Sequence, residues 1–314
     1  MNYFNKNVLK RIACIMLACA TLVSFSACNG RDKPSSSEDS SNSSSQSSSS
    51  DSSSQSSDSS SSSDSSSNVD KSSSEDKSSS TADDSKKSVK EKLADAKKVN
   101  SDVVAWINIP NTEIDNEVLQ HNDIAYYHRK DITKTYQWYG CYYSDPHNIF
   151  KTSKELTPNT IIYGHNMEDR PNGKKFAQLF NYLNADFAKN NPYIYLTTED
   201  EELVFQVYAV FYSDTKFNYI VYDPAKESKF KTSMKDIITG GQERSEFIYD
   251  VDVNSNDKLL TLSTCTYKFG GEKNNEQRFV VQARLLRNGE KINKTVSVKK
   301  NPSPKQPTFS KSYN

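Results

Sequence analysis

Between Ser35 and Ser80 the chain holds a single aliphatic residue, Val69, and nearly everything else there is Ser, Asp, Glu, Asn, Gln or Lys. A segment of that make-up cannot bury enough apolar surface to offset the entropy of ordering it. Folding is therefore confined to what flanks it. From Ser88 to Val298 about 210 residues are rich in Tyr, Phe, Ile, Leu and Val, enough for one sizeable core. The expected organisation is a signal peptide or membrane anchor over 1–28, a Ser-rich disordered linker over 29–87, one folded domain over 88–298 and a tail over 299–314. The tail is expected to be disordered, because its prolines and charges present no periodic apolar face. Lys plus Arg and Asp plus Glu balance at 40 each. No overall field draws the chain to nucleic acid, so a partner must be inferred from a site.

The N-terminus reads as an address. Lys6, Lys10 and Arg11 precede an apolar run of 16 residues, Ile12 to Ala27, which suits a secretion-signal core better than a bilayer span of about 20. The run ends in Phe25-Ser26-Ala27-Cys28 and polar sequence follows at once. This resembles a bacterial lipoprotein signal, which implies lipidation at Cys28, with Phe25 standing where that motif usually has Leu. Lipidation, an uncleaved anchor and simple secretion all stay open. The first two place the domain on the extracytoplasmic face of a membrane, tethered by its N-terminus. The Ser-rich segment then acts as a spacer, with a typical end-to-end distance of roughly 35–40 Å for a flexible coil of its length.

Within the domain, Val89, Leu93, Ala96 and Val99 recur at helical spacing and predict a short helix over Ser88–Asn100. Extended runs follow at 103–107, 114–119, 139–144 and 159–165, then a helix at 176–183 and the strongest strand pattern, Leu203 to Tyr212. Phe230 to Ile238 predicts a helix before Gly240-Gly241, and two last strands, 258–264 and 278–286, flank a polar loop. Strands dominate and helices lie between them. The pattern argues for a mainly β fold, a barrel or sandwich with an N-terminal helix and helical insertions.

Lys258 to Cys265 (KLLTLSTC) is an apolar strand that delivers a cysteine to its last position, and a strand end is a rigid place for a reactive group. His165 ends another strand, in Tyr163-Gly164-His165, and an imidazole exchanges protons near neutral pH. Arg278 opens the last strand, directly after the loop that begins at Cys265. If the two strands pair as a hairpin, Arg278 lies beside Cys265, where a guanidinium stabilises a thiolate or an oxyanion. Each of these residues alone has an ordinary structural reading; together they form a constellation for acyl transfer.

Thr261-Leu262-Ser263-Thr264-Cys265, Arg278 a short distance downstream and Tyr163-Gly164-His165 upstream resemble the signature motifs of sortases. The resemblance covers about Val89 to Leu286. Its upstream part, Asn100 to Ile107 and Ile109-Pro110-Asn111-Thr112 after a helix, resembles class B of that family. Two departures stand out: Gly140-Cys141-Tyr142-Tyr143-Ser144-Asp145 replaces a Gly-x-Ile-Phe-x-Asp pattern, and Thr266 stands where some relatives carry an acid.

The resemblance implies a closed sortase barrel and a cysteine transpeptidase. It implies Cys265 as nucleophile, His165 as general acid and base, Arg278 as oxyanion and substrate stabiliser, and Tyr163, Ser263 and Thr264 as groove residues. The implied reaction cleaves a sorting signal between Thr and Gly. The implied partners are sorting-signal-bearing surface proteins and an amine nucleophile of a peptidoglycan precursor or a pilin. No cofactor and no metal are expected, since the sequence has no His/Cys ligand spacing and no oxygen-ligand loop. Cys141 is expected to be a buried structural thiol, the alternative being a disulfide to Cys265. Two rivals remain: a papain-like wall-peptide hydrolase, disfavoured because its cysteine precedes its histidine, and a lipid-anchored binding protein with vestigial catalytic residues.

Overall fold

The computed structural model describes residues 87–312. The signal or anchor, Cys28 and the linker up to residue 86 lie outside the described residues.

Helix α1 (Val89–Val99) starts at a reciprocal cap: the Ser88 side chain accepts from the Glu91 backbone N–H while the Glu91 carboxylate accepts from Ser88 N–H. Its buried face is Leu93 and Ala96, whereas Val99, expected on that face, points to solvent. Ten strands follow: β1 (Val103–Asn108), β2 (Asp115–Gln120), β3 (Tyr142–Ser144), β4 (Asn159–Tyr163), β5 (Tyr193–Thr197), β6 (Glu202–Ser213), β7 (Phe247–Tyr249), β8 (Leu259–Cys265), β9 (Arg278–Leu285) and β10 (Val298–Lys300). Eight of them close a barrel in the order β1-β2-β3-β4-β8-β9-β6-β5. Closure, not a sandwich, is how this sheet removes its edges.

The alternation of side chains along β4 and β8 sorts two apolar layers. Ile162, Leu260 and Leu262 join the main core, which also takes in Ile107, Val118 and Val281. Ile161, Tyr163 and Cys265 belong to a second cluster with Leu93 of α1, Tyr127 and Cys141. Each fully buried aliphatic side chain in such layers contributes about 1.5–3 kcal/mol. The catalytic-end strand is thus held from both faces.

The insertions differ from expectation in three places. Phe176–Leu183, expected to be helical, is a helix of the 3-10 kind, and it is followed by the unforeseen short helix α2 (Ala185–Asn190), capped by Asn184. Helix α3 (Met234–Arg244) runs through Gly240-Gly241 instead of stopping before them. The reason is contact: a Cβ on Gly240 would lie 2.5 Å from the Phe217 ring, and one on Gly241 2.2 Å from the Gln282 amide oxygen. Close approach of this helix to the barrel needs glycine despite its poor helix propensity.

The third difference is the tail. A disordered segment from Lys299 was expected, but β10 pairs antiparallel with β7 across Val298–Lys300. Beyond it, backbone N–H groups keep finding acceptors: Asn301 on Glu246 O (3.1 Å), Lys305 on Glu243 O (2.9 Å), Thr308 on Asp214 Oδ2 (2.8 Å) and Ser310 on Glu276 Oε2 (2.9 Å). The Phe309 ring rests 5.4 Å from that of Phe269. Long-range backbone pairing of this kind leaves no periodic trace in sequence, which is why composition misjudged it.

Candidate active site

Three neighbouring strands bring the predicted residues to one end of the barrel. β8 lies between β4, to which it is parallel, and β9, to which it is antiparallel. Cys265 and Arg278 are direct cross-strand partners, so their side chains share a face of the sheet. Tyr163 is registered with Ser263. His165, two residues beyond Tyr163, therefore comes to the same level as Cys265, two beyond Ser263. A hydrogen bond fixes that level: Asn166 Nδ2 donates to the Cys265 carbonyl at 2.9 Å. All three groups are buried, Cys265 and His165 at 5% exposure and Arg278 at 2%.

His165 Nε2–H donates to the His128 carbonyl oxygen at 2.9 Å. The bond defines the tautomer and leaves Nδ1 as the basic nitrogen of the ring. The His128 ring lies 4.3 Å from it, centroid to centroid. Burial first, then the neighbouring His128 and Arg129, push the His165 imidazole down to about 3. Burial, with a contribution from Arg129, takes His128 down to about 4. Both rings are neutral at physiological pH. His128 was not singled out from the sequence; it sits in a short 3-10 turn, Tyr126–Arg129, with no motif to mark it.

Arg278 Nη1 donates to the carbonyls of Asn275 (2.7 Å) and Gln277 (2.6 Å), so the loop after β8 fixes the guanidinium. Its Nη2 is buried and, among the described residues, has no hydrogen-bond partner. A buried N–H without a protein partner is a donor available to a negatively charged oxygen.

Tyr163, Ser263 and Thr264, expected along a groove, pack around the site. Tyr163 is 1% exposed and its ring lies 5.5 Å from that of Tyr143. The Ser263 hydroxyl is 2.9 Å from the Tyr219 hydroxyl, and Thr264 Oγ1 donates to Gly164 O at 2.7 Å. All three are buried beside the constellation, not displayed along an open groove. Cys141 is a free, buried thiol, which removes the expected alternative of a Cys141–Cys265 disulfide, and burial pushes it up to about 12. It stays protonated and inert. The reactive form of Cys265 is the reduced thiol, which ionises to the nucleophilic thiolate.

A closed eight-stranded barrel that brings Cys, His and Arg together at the ends of three adjacent strands defines a class of cysteine transpeptidase. Comparison with known proteins agrees. The family model described as Sortase domain matches residues 107–286. Sortase B of Listeria monocytogenes is 34% identical over 200 residues, 63% of this chain and 75% of that protein. Sortase B of Staphylococcus aureus is 27% identical over 199 residues, 63% of this chain and 76% of that one. A solved Staphylococcus aureus sortase B–substrate complex superposes with a TM-score of 0.52 at 26% identity, covering 63% of this chain and 85% of that chain. The chain belongs to the sortase family, in its class B, and is a cysteine transpeptidase.

Proposed function

We propose that this transpeptidase uses Cys265 to cleave a sorting signal between Thr and Gly and to pass the threonyl group to an amine. The observation that carries the reading is the placement of Cys265 between the strand that leads to His165 and the strand that opens on Arg278. The Cys265 sulfur attacks the threonine carbonyl while its proton passes to His165 Nδ1. The carbonyl oxygen becomes an oxyanion, which the spare Nη2–H of Arg278 supports. Collapse of the tetrahedral species breaks the Thr–Gly bond. The His165 proton goes to the departing glycine nitrogen, leaving a thioester. An incoming amine then attacks the thioester and gives a proton to His165; the C–S bond breaks as the new amide forms, and His165 returns that proton to the Cys265 sulfur.

Because burial holds His165 neutral, its protonation is tied to the moment when a thiolate or oxyanion beside it offsets the charge. The acceptor amine belongs to a peptidoglycan precursor or a pilin, and the donors are surface proteins bearing the sorting signal. The domain works at the extracytoplasmic face of the membrane, held by its N-terminus through a lipid on Cys28 or an uncleaved anchor.

The test is incubation of the reduced domain with a peptide library that fixes a Thr–Gly step, with triglycine as amine. A covalent adduct at Cys265 and a Thr–triglycine product, both lost in Cys265→Ala, are expected. Persistent absence of adduct across the library would overturn the reading.

A further inference from the structure

Thr266 departs from relatives that carry an acid after the nucleophile, yet a carboxylate does reach this position, from the other side of the site. Asp169, four residues after His165, accepts from Thr266 Oγ1 at 2.8 Å and from the Tyr267 backbone N–H at 2.6 Å, both on Oδ2. Its Oδ1 accepts from Asn166 Nδ2, the same amide nitrogen that donates to the Cys265 carbonyl at 2.9 Å. One carboxylate thus engages the residue after His165 and the two residues after Cys265.

The chemistry of these contacts is favourable. Thr266 is 1% exposed and Asn166 2%, so both carry buried polar groups that need partners, and Asp169 supplies them. The hydrogen bonds are charge-assisted, about twice as strong as neutral ones. Asp169 itself lies at the surface, beside a cleft of about 570 Å³ that it lines with Phe180, Tyr212 and Lys268. It has no part in the apolar core. The strands hold His165 and Cys265 only as far as Tyr163 and Cys265 respectively. Past those points the two catalytic segments are loops, and their mutual placement falls to side-chain ties.

We infer that Asp169 is a positioning residue for the transpeptidase: it clamps the His165 loop to the Cys265 loop and fixes the separation of acid–base and nucleophile. The inference rests on the reading of Cys265 and His165 given above. A misplacement of about 1 Å in such a pair costs on the order of 100-fold in rate.

The experiment uses the Thr–Gly peptide that the wild-type protein cleaves best in the library, under reducing conditions. For Asp169→Ala, kcat is expected to fall roughly 10- to 100-fold with KM nearly unchanged, because the clamp touches no substrate. Asp169→Asn keeps an oxygen for Thr266 and Tyr267 and should recover most of that loss. Thr266→Val, which removes one donor only, should show a smaller fall in kcat, and adding it to Asp169→Ala should cost little more, the signature of a shared interaction. If Asp169→Ala fails to fold, Thr266→Val and Asp169→Asn carry the test by the same kcat readout. A kcat for Asp169→Ala within twofold of wild type, a kcat for Thr266→Val equal to wild type where Asp169→Ala does not fold, or a loss confined to KM, would overturn the clamp. Failure of the wild-type protein on every peptide would instead count against the reading beneath it.

Discussion

His128 and His165 lie ring against ring in a buried site, and both titrate below the ordinary imidazole value of 6.5. The unfolded chain therefore takes up protons first as pH falls, and the folded state loses ground through the window from about 6.5 to the folded values near 4 and 3. Stability is fully present above that window and is lost progressively as pH falls through it. Between pH 6.5 and 5 each ring costs roughly 1.5–2 kcal/mol. Urea midpoints at pH 7.5 and 5.0 should show the drop, and His128→Leu should shrink it. At Arg278 the expected change is in rate. Arg278→Lys keeps a charge but lacks the planar fork in which one nitrogen holds the loop carbonyls and the other is presented to the oxyanion, so kcat should fall about 100-fold in peptide cleavage. Cys265, His165 and Arg278 were legible in the sequence because each abuts an apolar strand. His128, Asn166 and Asp169 were not legible, because their meaning lies in contacts with residues 37 to 99 positions away. Asn166 at least adjoins the histidine, and that adjacency was the one available signal.

At the scale of elements, α3 shows how a helix is fitted to a barrel. Gly241 faces the Gln282 amide, whose oxygen accepts from the Tyr208 hydroxyl at 3.0 Å. Gly241→Ala would gain helix propensity but force that buried amide to move. A net loss of about 1–3 kcal/mol is expected from overpacking, measurable by urea unfolding, where propensity alone would predict a gain. The sequence pattern found most of the barrel, β8 and β6 above all, because their apolar runs are long. It passed over β5, five residues wedged between α2 and β6. It also ended α3 at the glycines, since local propensity carries no record of the surface a helix will meet. The tail was misjudged for the same reason, its pairing with β7 being a contact across some 50 residues. That tail ends on the loop joining Cys265 to Arg278, through Phe309 on Phe269 and Ser310 on Glu276. Removing residues 298–314 should lower the melting temperature and speed hydrogen exchange across 266–277, as measured by mass spectrometry.

Across the described residues the barrel seats β8 between β4 and β9. β4 and β8 pair residues 100 positions apart, Asn159 with Leu259 through Tyr163 with Ser263, and on its other side β8 meets β9 through a local hairpin. Contacts of such long separation pay their loop-closure entropy before they return anything, so they form late. The nucleophile and its arginine can come together early as part of one hairpin. The histidine cannot join them until that hairpin inserts beside β4. A chain in which β8 had not yet paired with β4 would hold a cysteine and an arginine but no acid–base partner. Reactivity arrives in one step with closure, and an unfinished molecule is a silent one.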